Sequence, residues 1–131
     1  MKDFSDTDWP RQRLNHCLPP AWKLIQNKRL KNGWCDHARK TIRIPPVADL
    51  YALAVFLHEI GHATLHKAER GIRHVEEYEA ERFSFYALRG FGYSVTRQIL
   101  AEAKGNVRGR ILEDERRKVC INPKIKKWSM P

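Results

Sequence analysis

Leu50-Tyr51-Ala52-Leu53-Ala54-Val55-Phe56-Leu57-His58-Glu59-Ile60-Gly61-His62-Ala63-Thr64-Leu65-His66 decides the fold. Its first eight residues are apolar nearly all round, so the segment reads as a helix buried at the centre of a domain. His58 and His62 are four residues apart and project from one face of that helix, one turn from each other. Both imidazoles can reach one metal ion, and the Glu59 carboxylate beside the first can act as general base on a water held there. Two imidazoles and a carboxylate on a buried helix need polar partners, because an unpaired buried charge is costly. A metal ion is such a partner.

The flanks set the boundaries. Pro45-Pro46 precede the run, and Pro suits the first turn of a helix, so the helix is predicted from about Val47 to Lys67. Gly61 inside it costs up to about 1 kcal/mol relative to Ala, which implies that a sheet or a second helix packs closely there. Upstream, Thr41-Ile42-Arg43-Ile44 alternates as a strand does, and Trp34 to Ile44 reads as one or two short strands after an Asn32-Gly33 turn. Trp22 to Leu30 reads as a short helix or an irregular segment, and residues up to Pro20 as a polar lead-in.

Downstream, Gly71 belongs to a loop and Val75 to Arg89 to a second helix, closed by Gly90 and Gly92. Ser94 or Thr96 caps a third, ending near Gly105-Asn106. Ile111 to Val119 reads as a fourth, ended by Pro123, with residues 121–131 as a basic tail. The expectation is one α+β domain over residues 1–131, mainly helical, with a small sheet against the motif helix.

Composition bounds the partners. A net charge of +10 and a pI near 9.9 favour contact with nucleic acid, an acidic protein or an anionic surface. In the C-terminal part Arg108, Arg110, Arg116, Arg117, Lys118, Lys124, Lys126 and Lys127 accompany Trp128, a combination that suits phosphates and a stacked base. Glu113, Asp114 and Glu115 are interleaved with them, which equally suits a solvated helix face. Met1 to Pro10 has no apolar core of a signal peptide, and no uncharged apolar run approaches the roughly 20 residues of a membrane span. Cys17, Cys35 and Cys120 are odd in number and widely spaced, so neither a disulfide framework nor a zinc ribbon is expected. The chain reads as cytoplasmic, with reduced thiols.

A catalytic zinc takes three protein ligands and keeps one position open. After His58 and His62, the candidates for the third are His66, His74, Glu76, Glu77, Glu79 and Glu81. His66 lies roughly 12 Å along the axis from His58, too far to share the ion. The longer H-E-x-x-H-x-x-G-x-x-H pattern fails, with Leu65 and Ala68 at its Gly and third His. On the second helix Glu77, Ala80, Glu81, Ser84 and Leu88 share one face, and the small Ala80 and Ser84 allow a close approach to the motif helix. Glu79 points away with Arg82, toward an exposed ion pair. Glu77 is favoured, Glu76 is the next carboxylate, and His74 is an alternative from the loop side.

His58-Glu59-Ile60-Gly61-His62-Ala63-Thr64-Leu65-His66, followed by Glu77-Tyr78-Glu79-Ala80-Glu81-Arg82-Phe83-Ser84, resembles the ImmA/IrrE family of small gluzincin-type metallopeptidases. That family shows H-E-[LI]-G-H-x-x-L-H and then E-x-x-A-[ND]-x-F-[AS], and the likeness spans about Thr41 to Leu88. Glu81 stands where the family has Asp or Asn. The resemblance implies a zincin-like fold in which His58, His62 and Glu77 bind Zn²⁺ and Glu59 is the base. It also implies peptide-bond hydrolysis in a specific intracellular protein. His74, Tyr78 and Tyr86 are the candidate donors to the oxyanion. Two other readings share the same residues: a basic nucleic-acid-binding or protein-interaction module with a structural zinc, and a protease acting on DNA-bound proteins.

Overall fold

The computed structural model describes residues 1–67 and 71–131. Three short strands form one sheet in the order β1-β3-β2. β1 (Lys23–Gln26) runs parallel to β3 (Thr41–Ile44), and β2 (Trp34–Asp36) pairs with β3 antiparallel. The register aligns Leu24, Ile42 and Cys35, so these side chains share one face. That face carries the buried Leu24, Ile42 and Ile44 and packs on the central helix α2 (Leu50–Leu65).

α2 begins where Asp49 accepts the Ala52 N–H at 2.7 Å, an N-cap that satisfies one otherwise orphaned donor. Leu53, Phe56, Leu57 and Ile60 are almost fully buried, as the all-round apolar pattern requires. α3 (Arg73–Gly90) packs along α2, and α4 (Arg97–Arg116) packs on α3. The fold is therefore α+β, with five α-helices among the described residues and a small sheet against the motif helix. Among the described residues no helix is long and apolar enough to cross a membrane.

Four sequence expectations are corrected. Residues in the Trp22 to Leu30 segment form strand β1, because pairing with β3 organises a tetrapeptide whose local pattern is uninformative. The polar lead-in contains a short helix α1 (Arg11–His16) and contributes Trp9 and Leu14 to the core. Trp9 Nε1 donates to the Tyr93 hydroxyl at 2.9 Å, and the Arg13 guanidinium covers its ring. The third and fourth helices are one helix, α4, capped by Thr96 and continuous through Gly105 and Gly109. Its buried stripe Ile99, Ala103, Val107, Ile111 keeps the helical period across both glycines and outweighs their propensity cost. Pro123 does not stop a helix. It opens α5 (Pro123–Ser129), with Asn122 capping the Lys124 and Ile125 N–H groups.

Gly61 marks the closest approach of α2 and α3. A Cβ there would lie 3.1 Å from Phe83 Cβ and 3.2 Å from Ala80 Cα. Gly61→Leu should destabilise the protein by about 2 kcal/mol through overpacking. Gly90→Ala, a position with no neighbour within 4 Å, should leave stability unchanged or raise it by up to about 1 kcal/mol. Urea midpoints of the two variants check the contrast.

Candidate metal centre

The narrow gap between α2 and α3 brings three donors together. Ser84 Oγ donates to the Ala54 carbonyl at 2.9 Å and fixes the register of the helices there. Two turns earlier on α3, Glu77 reaches across to the His pair. Glu77 Oε1 is 2.6 Å from His58 Nε2 and 3.4 Å from His62 Nε2, and the two nitrogens are 3.1 Å apart. Donor atoms of a tetrahedral zinc-type site lie about 3.3 Å from each other. The triangle therefore has the size of one face of such a site, and His58, His62 and Glu77 can together hold a metal ion.

Each donor is tied behind by a further side chain. His58 Nδ1 is 2.7 Å from Glu81 Oε1, and Asn106 Nδ2 of α4 donates to Glu81 Oε2 at 3.2 Å. That bond fixes the His58 ring and aims Nε2 at the site. His62 Nδ1 lies 3.2 Å from His66 Nδ1, and His66 Nε2 lies 3.2 Å from Glu79 Oε1. Glu77 Oε2 accepts from Arg110 Nε at 3.0 Å, and Arg110 also bonds Glu113 at 3.2 Å. Arg110 thus leaves Oε1 alone to face the histidines.

The electrostatics favour a cation. Burial alone would lower the His58 pKa, but the Glu81 and Glu77 carboxylates overcome it and hold His58 well above its ordinary value. Burial would raise Glu77, but its bonds to His58 and His62 hold it well below the usual carboxylate range. In this state a proton on His58 supplies the positive charge between the carboxylates. A divalent ion would replace that proton.

Glu59 is 6% exposed and points into the same cleft. Burial raises its pKa, against the opposing pull of His58 and His62. A Cβ on Gly33 would fall 2.6 Å from Glu59 Oε2 and 2.7 Å from its Cγ. Gly33, read from sequence as part of a turn, therefore makes room for this carboxylate at the entry to β2. The cleft has a volume of about 720 Å³ and runs between the edge strand β2, the donors on α2 and α3, and one face of α4.

The remaining candidates separate cleanly. Glu76 is 3.9 Å from His66 Nδ1 and lies outside the triangle. Glu79 bonds His66 instead of forming the expected pair with Arg82. His66 is buried behind His62. His74 does not swing in. It is fully buried, donates from Nδ1 to Asp114 Oδ2 at 2.7 Å, and accepts the Asn122 N–H on Nε2 at 3.1 Å. Both ring nitrogens are used, so it is neither a ligand nor an oxyanion donor. Tyr78 packs edge-on against Trp128, and Tyr86 is 82% exposed; neither lines the cleft.

Sequence reading missed Asn106, taken as a helix end, and the outer roles of Glu81 and Arg110. Only Glu81 carried a signal, since it lies four residues from Glu77 on the same face. Comparison with protein-family models, curated proteins and solved structures returns no match.

After dialysis against a divalent metal, the wild type should retain one ion per chain by elemental analysis. Glu77→Ala should retain none and Glu76→Ala should behave as wild type. Glu81→Ala should bind about 10- to 100-fold more weakly. Because uptake displaces the His58 proton, affinity should rise with pH. The calorimetric heat at neutral pH should then vary with the ionisation enthalpy of the buffer.

Proposed function

We propose that this protein is a zinc-dependent metallopeptidase that hydrolyses a peptide bond in a protein substrate. The observation that carries the reading is the convergence of His58, His62 and Glu77 on the wall of an open cleft that also holds the buried Glu59 carboxylate. A two-His, one-carboxylate set is that of catalytic zinc, whereas a structural zinc is closed by four protein ligands. The order of the two motifs, which resembles that of the ImmA/IrrE family, supports the same assignment. Zinc, when bound, supplies a Lewis acid that polarises a carbonyl and lowers the pKa of water to about 7.

The chain's own residues perform the rest. Glu59, with its raised pKa, takes a proton from the attacking water and returns it to the leaving amine. Its position over Gly33 keeps it at the cleft wall rather than in solvent. β2 is an edge strand and lines the cleft, so an extended peptide can lie along it in the manner of strand addition. Gly105, Gly109 and Ala103 present little side chain on the α4 wall, which leaves width for the substrate's own side chains. Arg73 and Arg110 both line the cleft, and Arg110, bonded to Glu77 and 40% exposed, supports a role as donor to a developing oxyanion in place of the three sequence candidates.

The test is exposure of a proteome-derived peptide library to the protein, with new termini read by mass spectrometry. Wild type should generate a defined set of cuts that chelation abolishes. Glu59→Gln should keep the metal and lose the cuts by a factor of about 10² or more. Gly33→Ala should also keep the metal but lose activity, because the added methyl displaces the Glu59 carboxylate. Equal cleavage by wild type and Glu59→Gln would overturn the assignment.

A further inference from the structure

We infer that the outer face of the three-stranded sheet is a docking surface for single-stranded nucleic acid. The surface holds none of the metal donors and does not rest on the peptidase reading, although Trp34 at its edge also borders the cleft. The register puts Ile25, Arg43 and Trp34 in one rung across β1, β3 and β2. All three are exposed, Ile25 at 41% and Trp34 at 67%. Side chains alternate along a strand, so this rung lies opposite the face that packs on α2. Lys23 precedes it on the same face and is exposed.

The segments that frame the sheet add charge. Lys28, Arg29 and Lys31 lie between β1 and β2, and Arg39 and Lys40 between β2 and β3, all exposed. Asp36 is the one acidic residue between Lys23 and Arg43. Ion pairs within 4 Å elsewhere engage Lys2, Arg73, Arg110 and Lys126, but among the described residues none engages these sheet and loop cations. A dense basic field left without internal partners fits a polyanion.

The rung narrows the choice of polyanion. Neighbouring strands are about 4.8 Å apart, which sets a guanidinium beside an exposed indole and an aliphatic side chain. Cations along a groove with an aromatic platform are the elements of single-strand binding, where phosphates meet the charges and an unpaired base stacks on the ring. Duplex bases are already stacked and offer no free face to Trp34. An acidic peptide would satisfy the cations and leave the indole unexplained.

The C-terminal basic segment is less suited. Trp128 packs against Tyr78 and Phe85 at ring distances of 5.0 and 6.4 Å, and Lys126 pairs with Glu115. Its indole is half-buried against those rings, with less free face for a base than Trp34.

Fluorescence anisotropy of a labelled oligothymidylate of about 15 nucleotides, over a salt series, tests the surface; an oligouridylate of equal length separates DNA from RNA preference. The full chain should bind at least one of the two. Trp34→Ala should weaken binding about tenfold with the salt slope unchanged. Arg43→Ala should weaken it and lower the slope by about one. A variant with Lys124→Ala, Lys126→Ala and Lys127→Ala should bind as wild type. Unchanged thermal melting certifies each fold. The inference is overturned if neither strand binds at low salt, or if Trp34→Ala binds as tightly as wild type. It is also overturned if the C-terminal variant is the one that loses binding, or if duplex DNA or polyglutamate competes as well as the single strand.

Discussion

One imidazole and three carboxylates are buried between α2 and α3, with the half-buried His62 beside them, and the rest of the structure is arranged around that charge. His58, Glu59, Glu77 and Glu81 are each less than a tenth exposed. Isolated, such groups would be expelled toward water or neutralised. His58, Glu77 and Glu81 stay because each is bonded to another, Glu59 because it faces the cleft, and the acidic excess has a cation, either the proton on His58 or a metal ion. The helices must also be close enough for a Glu side chain to span the gap. That requirement explains Gly61, Ala80 and Ser84 at the interface. A larger residue at any of the three would separate the helices and take Glu77 away from the histidines.

The outer partners come from several elements, and this ties the centre to the whole fold. α3 itself supplies Glu81 behind His58 and Glu79 behind His66. α4 supplies Asn106 behind Glu81 and Arg110 behind Glu77. α4 in turn is anchored away from the cleft. Asp114 accepts both the His74 backbone N–H, near the start of α3, and the His74 ring N–H. It acts as a tertiary cap for that helix terminus. The His74 ring then accepts from Asn122, which itself caps α5. His74 thus joins the start of α3, which carries Glu77 and Glu81, to the end of α4 and to the cap of α5.

What could be read from sequence follows the range of the interaction. The helical periods of α2 and α3, the shared face of Glu77, Ala80, Glu81 and Ser84, and the close neighbour at Gly61 are local regularities, and all were legible. The alternation of Thr41-Ile42-Arg43-Ile44 was legible for the same reason. β1 was not, because its four residues become a strand through a parallel partner beyond a long connection. Gly105 and Gly109 suggested a break in α4 that tertiary burial of Ile99, Val107 and Ile111 overrides. The lead-in looked polar because Trp9 and Leu14 are only two residues among many charged ones, yet they close one end of the core. The partners supplied by α4 lay beyond sequence, since nothing at Asn106 or Arg110 records which helix they will face.

Gly33 joins the two surfaces of the molecule. Its bare Cα is pressed against Glu59 on the cleft side, and the next residue, Trp34, stands exposed on the outer rung of the sheet while also lining the cleft. A peptide laid along β2 and a nucleic-acid strand laid across the sheet would therefore meet the same short segment from opposite sides. The backbone of β2 is held by its ladder to β3, so occupation of one side can reach the other chiefly through Trp34 and the position of Gly33. Because Gly33 has no space for even a Cβ beside Glu59, a shift of Gly33 toward it would press on the carboxylate. An occupant of the sheet and an occupant of the cleft would thus both bear on the edge strand, at Gly33 and Trp34.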